Sequence, residues 1–143
     1  MQEQPSRPFS LNVLTGLTFG VAIWNLLAMV QFIAFIVTRG RGSGLSVAIQ
    51  HSLMSLPGWT MYFLIAGCVI KAPLLFLAAW GYFNFKRLGR WAGNAYAGFS
   101  LAESAVIAFG LDYPVGLTTV VGILFAAFTL AAVNGPFRPL LTR

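Results

Sequence analysis

Two ionisable residues lie inside long apolar segments, where an ammonium and a carboxylate can neutralise one another or pass a proton. Lys71 lies in GCVIKAPLL and Glu103 lies in FSLAESAVI. Lys71 precedes Lys86 by 15 residues, and Glu103 follows Arg90 by 13 residues. Counting from the basic turn between them therefore puts both charges roughly 20 Å along a helix. We predict that they meet at one level of a helical hairpin.

The elements that must position this pair are residues 59–85 and 91–110, joined by the basic turn 84–90. Pro73 interrupts the first segment two residues after Lys71, where it removes one backbone hydrogen bond and should bend the helix. Broken helices beside a charge occur in transport sites, but kinks without a function are common in spanning helices. Both interpretations stay open.

The composition predicts a membrane protein, since 58% of the 143 residues are hydrophobic and only 8% are charged. About 20 apolar residues cross a hydrocarbon core of about 30 Å. We therefore predict an all-α membrane fold of four transmembrane helices in an up-down bundle, with a short interfacial helix between helices 1 and 2. Residues 1–10 are expected to form a mobile cytoplasmic tail, which ends where Ser10 can cap the first helix, and residues 11–143 the transmembrane domain.

The first spanning segment, residues 11–38, is too long for a cleavable signal and carries an amide near its middle. Asn25 falls near the depth of Lys71 and Glu103, so the three residues form a predicted intramembrane polar cluster. The simpler interpretation is an amide satisfied by a neighbouring helix. His51, in the connection that follows, is expected to be a surface histidine near the lipid headgroups rather than a ligand or a proton relay.

Small residues recur at helical spacing in the third and fourth segments, which allows close approach of neighbouring helices. The predicted helix-packing stripes contain Gly93, Ala97, Ser100, Ser104, Gly122 and Ala126. The sequence Asn134-Gly135-Pro136 is a helix stop.

The basic residues indicate topology rather than nucleic-acid binding, because the nine of them are scattered along the chain. A cytoplasmic N-terminus places six of them inside and only Arg39 and Arg41 outside. We expect both termini to be cytoplasmic in a multi-pass protein, in a bacterial inner membrane. The six inside residues are Arg7, Lys86, Arg87, Arg90, Arg138 and Arg143.

From Gly81 to Arg143, the stretches GYFNFKRLGRWAGNAYAGFSLAES and LAAVNGPFRPLLTR resemble a broad class of small, uncharacterised four-helix membrane proteins of bacteria. In that class a basic turn with Trp, Gly and Arg joins helices two and three, and the last helix ends on an Asn-x-Pro type stop. The resemblance implies the four-helix topology and no activity. Lys71 and Glu103 are not part of that pattern.

Catalytic groups are scarce, since the chain has one histidine, one cysteine and three acids. No triad, carboxylate pair or metal cluster can be assembled from them within one protomer. We therefore expect no enzymatic activity, no metal and no cofactor.

Two functions remain. The first is an accessory or assembly subunit of a larger membrane complex, which uses its small-residue stripes against partner helices. Its partners would be lipid and other membrane subunits or copies of the chain, and the ion pair would fix which of its own helices meet. The alternative is a minimal oligomeric transporter or channel for a proton, ion or small solute, which would use Lys71 and Glu103. In a further interpretation the two charges contact a partner subunit or lipid instead of each other.

Overall fold

All regular secondary structure in the described part of the chain is helical. A computed structural model describes residues 8–38, 54, 57–110 and 117–141. Within these ranges it contains no strand and four long helices: α1 (Phe9–Thr38), α2 (Gly58–Phe83), α3 (Arg87–Gly110) and α4 (Leu117–Asn134). The predicted interfacial helix lies almost entirely outside the described residues, as do His51 and residues 1–7.

Two of these helices are long and apolar enough to cross a membrane. The most apolar windows of α1 and α2 have mean hydropathies of 2.1 and 2.0. Only 17% and 33% of those windows are buried, whereas a core helix of a soluble protein is mostly buried. The helices therefore combine strong apolarity with outward exposure.

The turn between α2 and α3 is shorter than predicted. Phe85 has a φ of 54°, the Lys86 N–H donates to the Gly81 carbonyl at 2.8 Å, and the Phe85 N–H donates to the Tyr82 carbonyl at 3.4 Å. These bonds form a Schellman-type helix end, in which a left-handed residue reverses the chain. Arg87 consequently begins α3 instead of lying in a loop.

The other helix ends lie near their predicted positions. α1 begins at Phe9, so Ser10 lies in its first turn and is not its cap. α2 remains helical through Pro73, and α4 ends at Asn134 as the Asn-Gly-Pro stop predicts. After α4 the chain continues in turns that bring Phe137 and Leu141 into the core.

Helix packing follows chain order: α1 packs on α2, α2 on α3 and α3 on α4. The α2 and α3 backbones approach one another closely beside the turn, where a Cβ on Gly89 would lie 2.7 Å from the Gly81 carbonyl carbon. Only glycine allows this approach, and it anchors the hairpin that carries Lys71 and Glu103.

Three apolar clusters form the core. All four helices contribute to the cluster nearest the α2–α3 turn and to the middle cluster. The third cluster, centred on Phe35 and Met61, contains residues of α1 and α2 alone. The middle cluster consists of Ala22, Leu75, Tyr96, Ala97 and Ala126.

Candidate functional site

Lys71 and Glu103 are paired. The Lys71 Nζ donates a hydrogen bond to the Glu103 Oε2 across the α2–α3 interface, and the two groups form a salt bridge. The Lys71 side chain is 16% exposed and that of Glu103 only 6%. The carboxylate is therefore enclosed by protein, while the lysine retains some access to the space beside it.

A glycine makes room for the carboxylate. Gly67 lies one helical turn before Lys71 and is buried. A Cβ at this position would overlap the Glu103 Oε1 and lie 3.0 Å from its carboxyl carbon. Gly67 therefore permits the side chain of Glu103 to reach α2. Sequence reasoning missed this residue, although its spacing of four from Lys71 placed both on one face.

The ion pair lies in a partly open cavity of about 390 Å³. Side chains from all four helices line it, and of these Trp24 and Val121 are exposed, so its rim lies on α1 and α4. The wall is largely apolar, and polar groups converge around the pair. The polar lining residues are Asn25, Lys71, Tyr96, Ser100, Glu103, Ser104 and Thr119.

Asn25 lines the same cavity as the ion pair. Its Nδ2 donates to the Val21 carbonyl at 2.8 Å within its own helix. Ser104 is satisfied in the same way, with its Oγ donating to the Ser100 carbonyl at 2.8 Å. Both side chains therefore line the cavity while donating a hydrogen bond to a backbone carbonyl of their own helix.

The small residues of α3 face the other helices of the chain. Gly93, Ala97, Ser100 and Ser104 are all buried. A Cβ on Gly93 would overlap the Tyr82 hydroxyl and lie 3.5 Å from the Thr129 Cγ2. The close packing that this stripe allows is therefore used inside the protomer.

The stripe on α4 divides into two parts. Ala126 is fully buried in the middle cluster. Gly122, in contrast, lies on the cavity wall, and a Cβ there would meet nothing within 4 Å. Gly122 therefore makes no close helix contact among the described residues, and its place in a packing stripe stays a prediction.

A second polar site lies at the opposite end of α3. The Asn134 Oδ1 accepts hydrogen bonds from the Arg90 Nε at 3.2 Å and from the Asn94 Nδ2 at 3.3 Å. The Asn134 Nδ2 in turn donates to the Asn94 Oδ1 at 2.7 Å. From the sequence Asn134 was only a helix stop, but it also joins the end of α4 to α3.

Metal ligands do not cluster in the described ranges, where no group of three or more His, Cys, Asp or Glu side chains occurs. Cys68 is a buried free thiol on the cavity wall. The chemistry that these residues offer is therefore charge neutralisation, proton exchange and hydrogen bonding.

These features define a helical protein with an ion pair inside a cavity between its helices. No protein-family model, curated protein or solved structure matches the chain. The resemblance of residues 81–143 to small bacterial membrane proteins stays a prediction.

Proposed function

We propose that this protein is a multi-pass integral membrane protein whose four helices all span the bilayer in an up-down bundle. The distribution of polar residues supports this proposal, because it is the reverse of that in a soluble protein. Polar groups such as Thr18, Asn25 and Glu103 are buried, whereas large apolar side chains cover the outside. From Trp91 onward the exposed residues of α3 are all apolar or small: Trp91, Ala95, Gly98, Ala102, Ala105, Val106, Phe109 and Gly110.

Helix length supports two further spans. α3 has 24 residues and α4 has 18, which correspond to about 36 and 27 Å against a hydrocarbon core of about 30 Å. α3 is less apolar overall because it carries the polar groups that face its neighbours. The proposal puts both termini in the cytoplasm of a bacterial cell, because the basic residues near the α2–α3 turn and after α4 share one side of the membrane in this topology. These residues are Lys86 in the turn, Arg87 and Arg90 in the first turn of α3, and Arg138 after α4.

The function that the geometry supports best is that of a minimal transporter or channel for a proton, ion or small solute. The carrying observation is the cavity beside Lys71 and Glu103. A buried ion pair is a weak source of stability, and ionisable residues inside a membrane mark ion and substrate pathways by default. A charged solute or a proton entering the cavity would compete for one member of the pair, and this exchange provides a binding step.

Flux measurements test this function. We expect the protein in phospholipid vesicles to dissipate an imposed proton or cation gradient, and Glu103→Gln to reduce the rate to that of protein-free vesicles. Leu124→Val is the control: it shortens an exposed apolar side chain on α4 that does not line the cavity, and it should leave the rate unaltered. An active Glu103→Gln protein, or wild-type vesicles no leakier than empty ones, would contradict the proposal.

An accessory role in a larger membrane complex is the second candidate, and a feature of α1 favours it. Gly16 and Gly20 are exposed and four residues apart, with nothing within 4 Å of a Cβ at either position. Such a surface allows a foreign helix to approach closely. Purification in mild detergent separates the candidates: a stoichiometric foreign subunit, lost in Gly20→Leu, supports the accessory role, whereas a monomer or homo-oligomer with flux supports the transporter.

A further inference from the structure

We propose that a groove on the outer face of α3 binds the phosphate-bearing headgroup of an anionic phospholipid. The groove has a volume of about 390 Å³ and is called the basic groove below. It lies at the cytoplasmic end of α3 in the orientation proposed above. Its lining residues are Arg87, Arg90, Trp91, Asn94 and Ala95.

The charge of the groove is not neutralised by the described residues. The chain contains three acids, and Glu103, the only one within the described ranges, already pairs with Lys71. Glu103 follows Arg90 by 13 residues, which is roughly 20 Å along the helix. The groove therefore presents two guanidinium groups that need an anion from elsewhere.

Asn134 orients one of these groups. It accepts from the Arg90 Nε, while its own amide donates to the Asn94 Oδ1 and to the Leu130 carbonyl at 3.0 Å. A guanidinium has five N–H donors, so this contact occupies one and leaves the four terminal donors for a ligand. Their planar fork matches two oxygens of a phosphate group.

The surroundings favour a lipid over dissolved phosphate. The Trp91 side chain is 65% exposed beside the arginines, and amphipathic indoles lie at headgroup level. Above it Ala95, Gly98 and Ala102 are exposed at three- and four-residue spacing, and a Cβ on Gly98 would meet nothing within 4 Å. This shallow apolar track leads away from the basic groove along α3, where an acyl chain can lie.

The test uses the full chain with Trp91 as its only tryptophan, after Trp24, Trp59 and Trp80 are replaced by phenylalanine. In phosphatidylcholine vesicles containing phosphatidylglycerol, bromine is placed on the acyl chains of one lipid or the other, and quenching of Trp91 reports the neighbouring lipid. We expect phosphatidylglycerol to quench more than its share of the bilayer predicts. Arg87→Gln and Arg90→Gln should each lower that preference about fivefold, as expected for one basic residue near anionic lipid.

Lys86→Gln is the matched control. It removes the same charge from the same end of the bundle, but Lys86 does not line the groove. The preference of the Lys86→Gln protein for phosphatidylglycerol should stay near that of the protein with Lys86. An equal loss in Lys86→Gln, no preference in the parent, or abolition of the preference by added inorganic phosphate would each overturn the proposal.

A second measurement does not depend on the tryptophan replacements. Wild-type protein purified in mild detergent should retain more phosphatidylglycerol than Arg87→Gln protein, as counted by mass spectrometry of extracted lipid. Equal retention would overturn the proposal. The inference rests on the membrane embedding proposed above but not on transport, so a lipid preference with no flux would contradict only the transporter.

Discussion

We expect Lys71→Met to lower the free energy of unfolding by roughly 3 kcal/mol, the low end of the range for breaking a buried ion pair. The substitution leaves the Glu103 carboxylate uncompensated where its side chain is only 6% exposed. Adding Glu103→Leu should restore most of the loss, because an apolar pair of similar volume leaves no buried charge. The double variant is thus predicted to be more stable than the Lys71→Met protein.

The measurement is a double-mutant cycle, with unfolding by a denaturing detergent in mild micelles followed by circular dichroism. Glu103→Leu alone completes the cycle. It should cost less than Lys71→Met, because the lysine that it strands is 16% exposed and lines the open cavity. Additive effects of the two substitutions would show that the charges do not stabilise one another, and would remove the ion pair as the anchor of the hairpin.

The level at which the pair meets could be predicted because it depends on local quantities. A helix rises a fixed distance per residue, so the separation of Lys71 and Glu103 from their shared turn sets their depth. The predicted turn was too long, because Arg87 to Arg90 belong to α3. This adds about one helical turn to the α3 arm, which is small enough for the two side chains still to meet. The positions of the described helices could be predicted for the same reason, because they too depend on local sequence.

The cavity could not be predicted, because it depends on how helices distant in the sequence pack. The spacing of Gly122 and Ala126 on one face is the same whether a neighbour covers both or only one of them. In the structure Ala126 meets the middle cluster and Gly122 meets open space. The hydrogen bonds of Asn134 to α3 could not be predicted either, because its partners lie 40 and 44 residues away in the sequence.

Burial on α3 also alters the balance between the two functional hypotheses. The sequence offered the stripe from Gly93 to Ser104 as a surface for partner subunits. Its residues are instead buried within the protomer, and two of them, Ser100 and Ser104, line the cavity. The feature that favoured assembly therefore supports the internal site, and a partner helix would have to use α1.

Gly67→Ala should destabilise the protein by about 2 kcal/mol, although alanine is normally the better helix residue by about 1 kcal/mol. The added methyl group would occupy the position of the Glu103 Oε1, so the carboxylate must move away from Lys71 or the helices must separate. Unfolding free energies of the single variant and of the same change in a Glu103→Ala background measure the effect. In that background no carboxylate meets the methyl group, and the substitution should become neutral or stabilising.

This reversal of sign distinguishes a site-specific clash from a general intolerance of larger residues in a crowded helix pair. Gly20→Ala on α1 is the matched control, because nothing lies within 4 Å of a Cβ there and the gain in helix propensity should appear alone. If Gly67→Ala were equally harmful with and without Glu103, the cost would come from the α2 backbone, and Gly67 would not be the residue that admits the carboxylate.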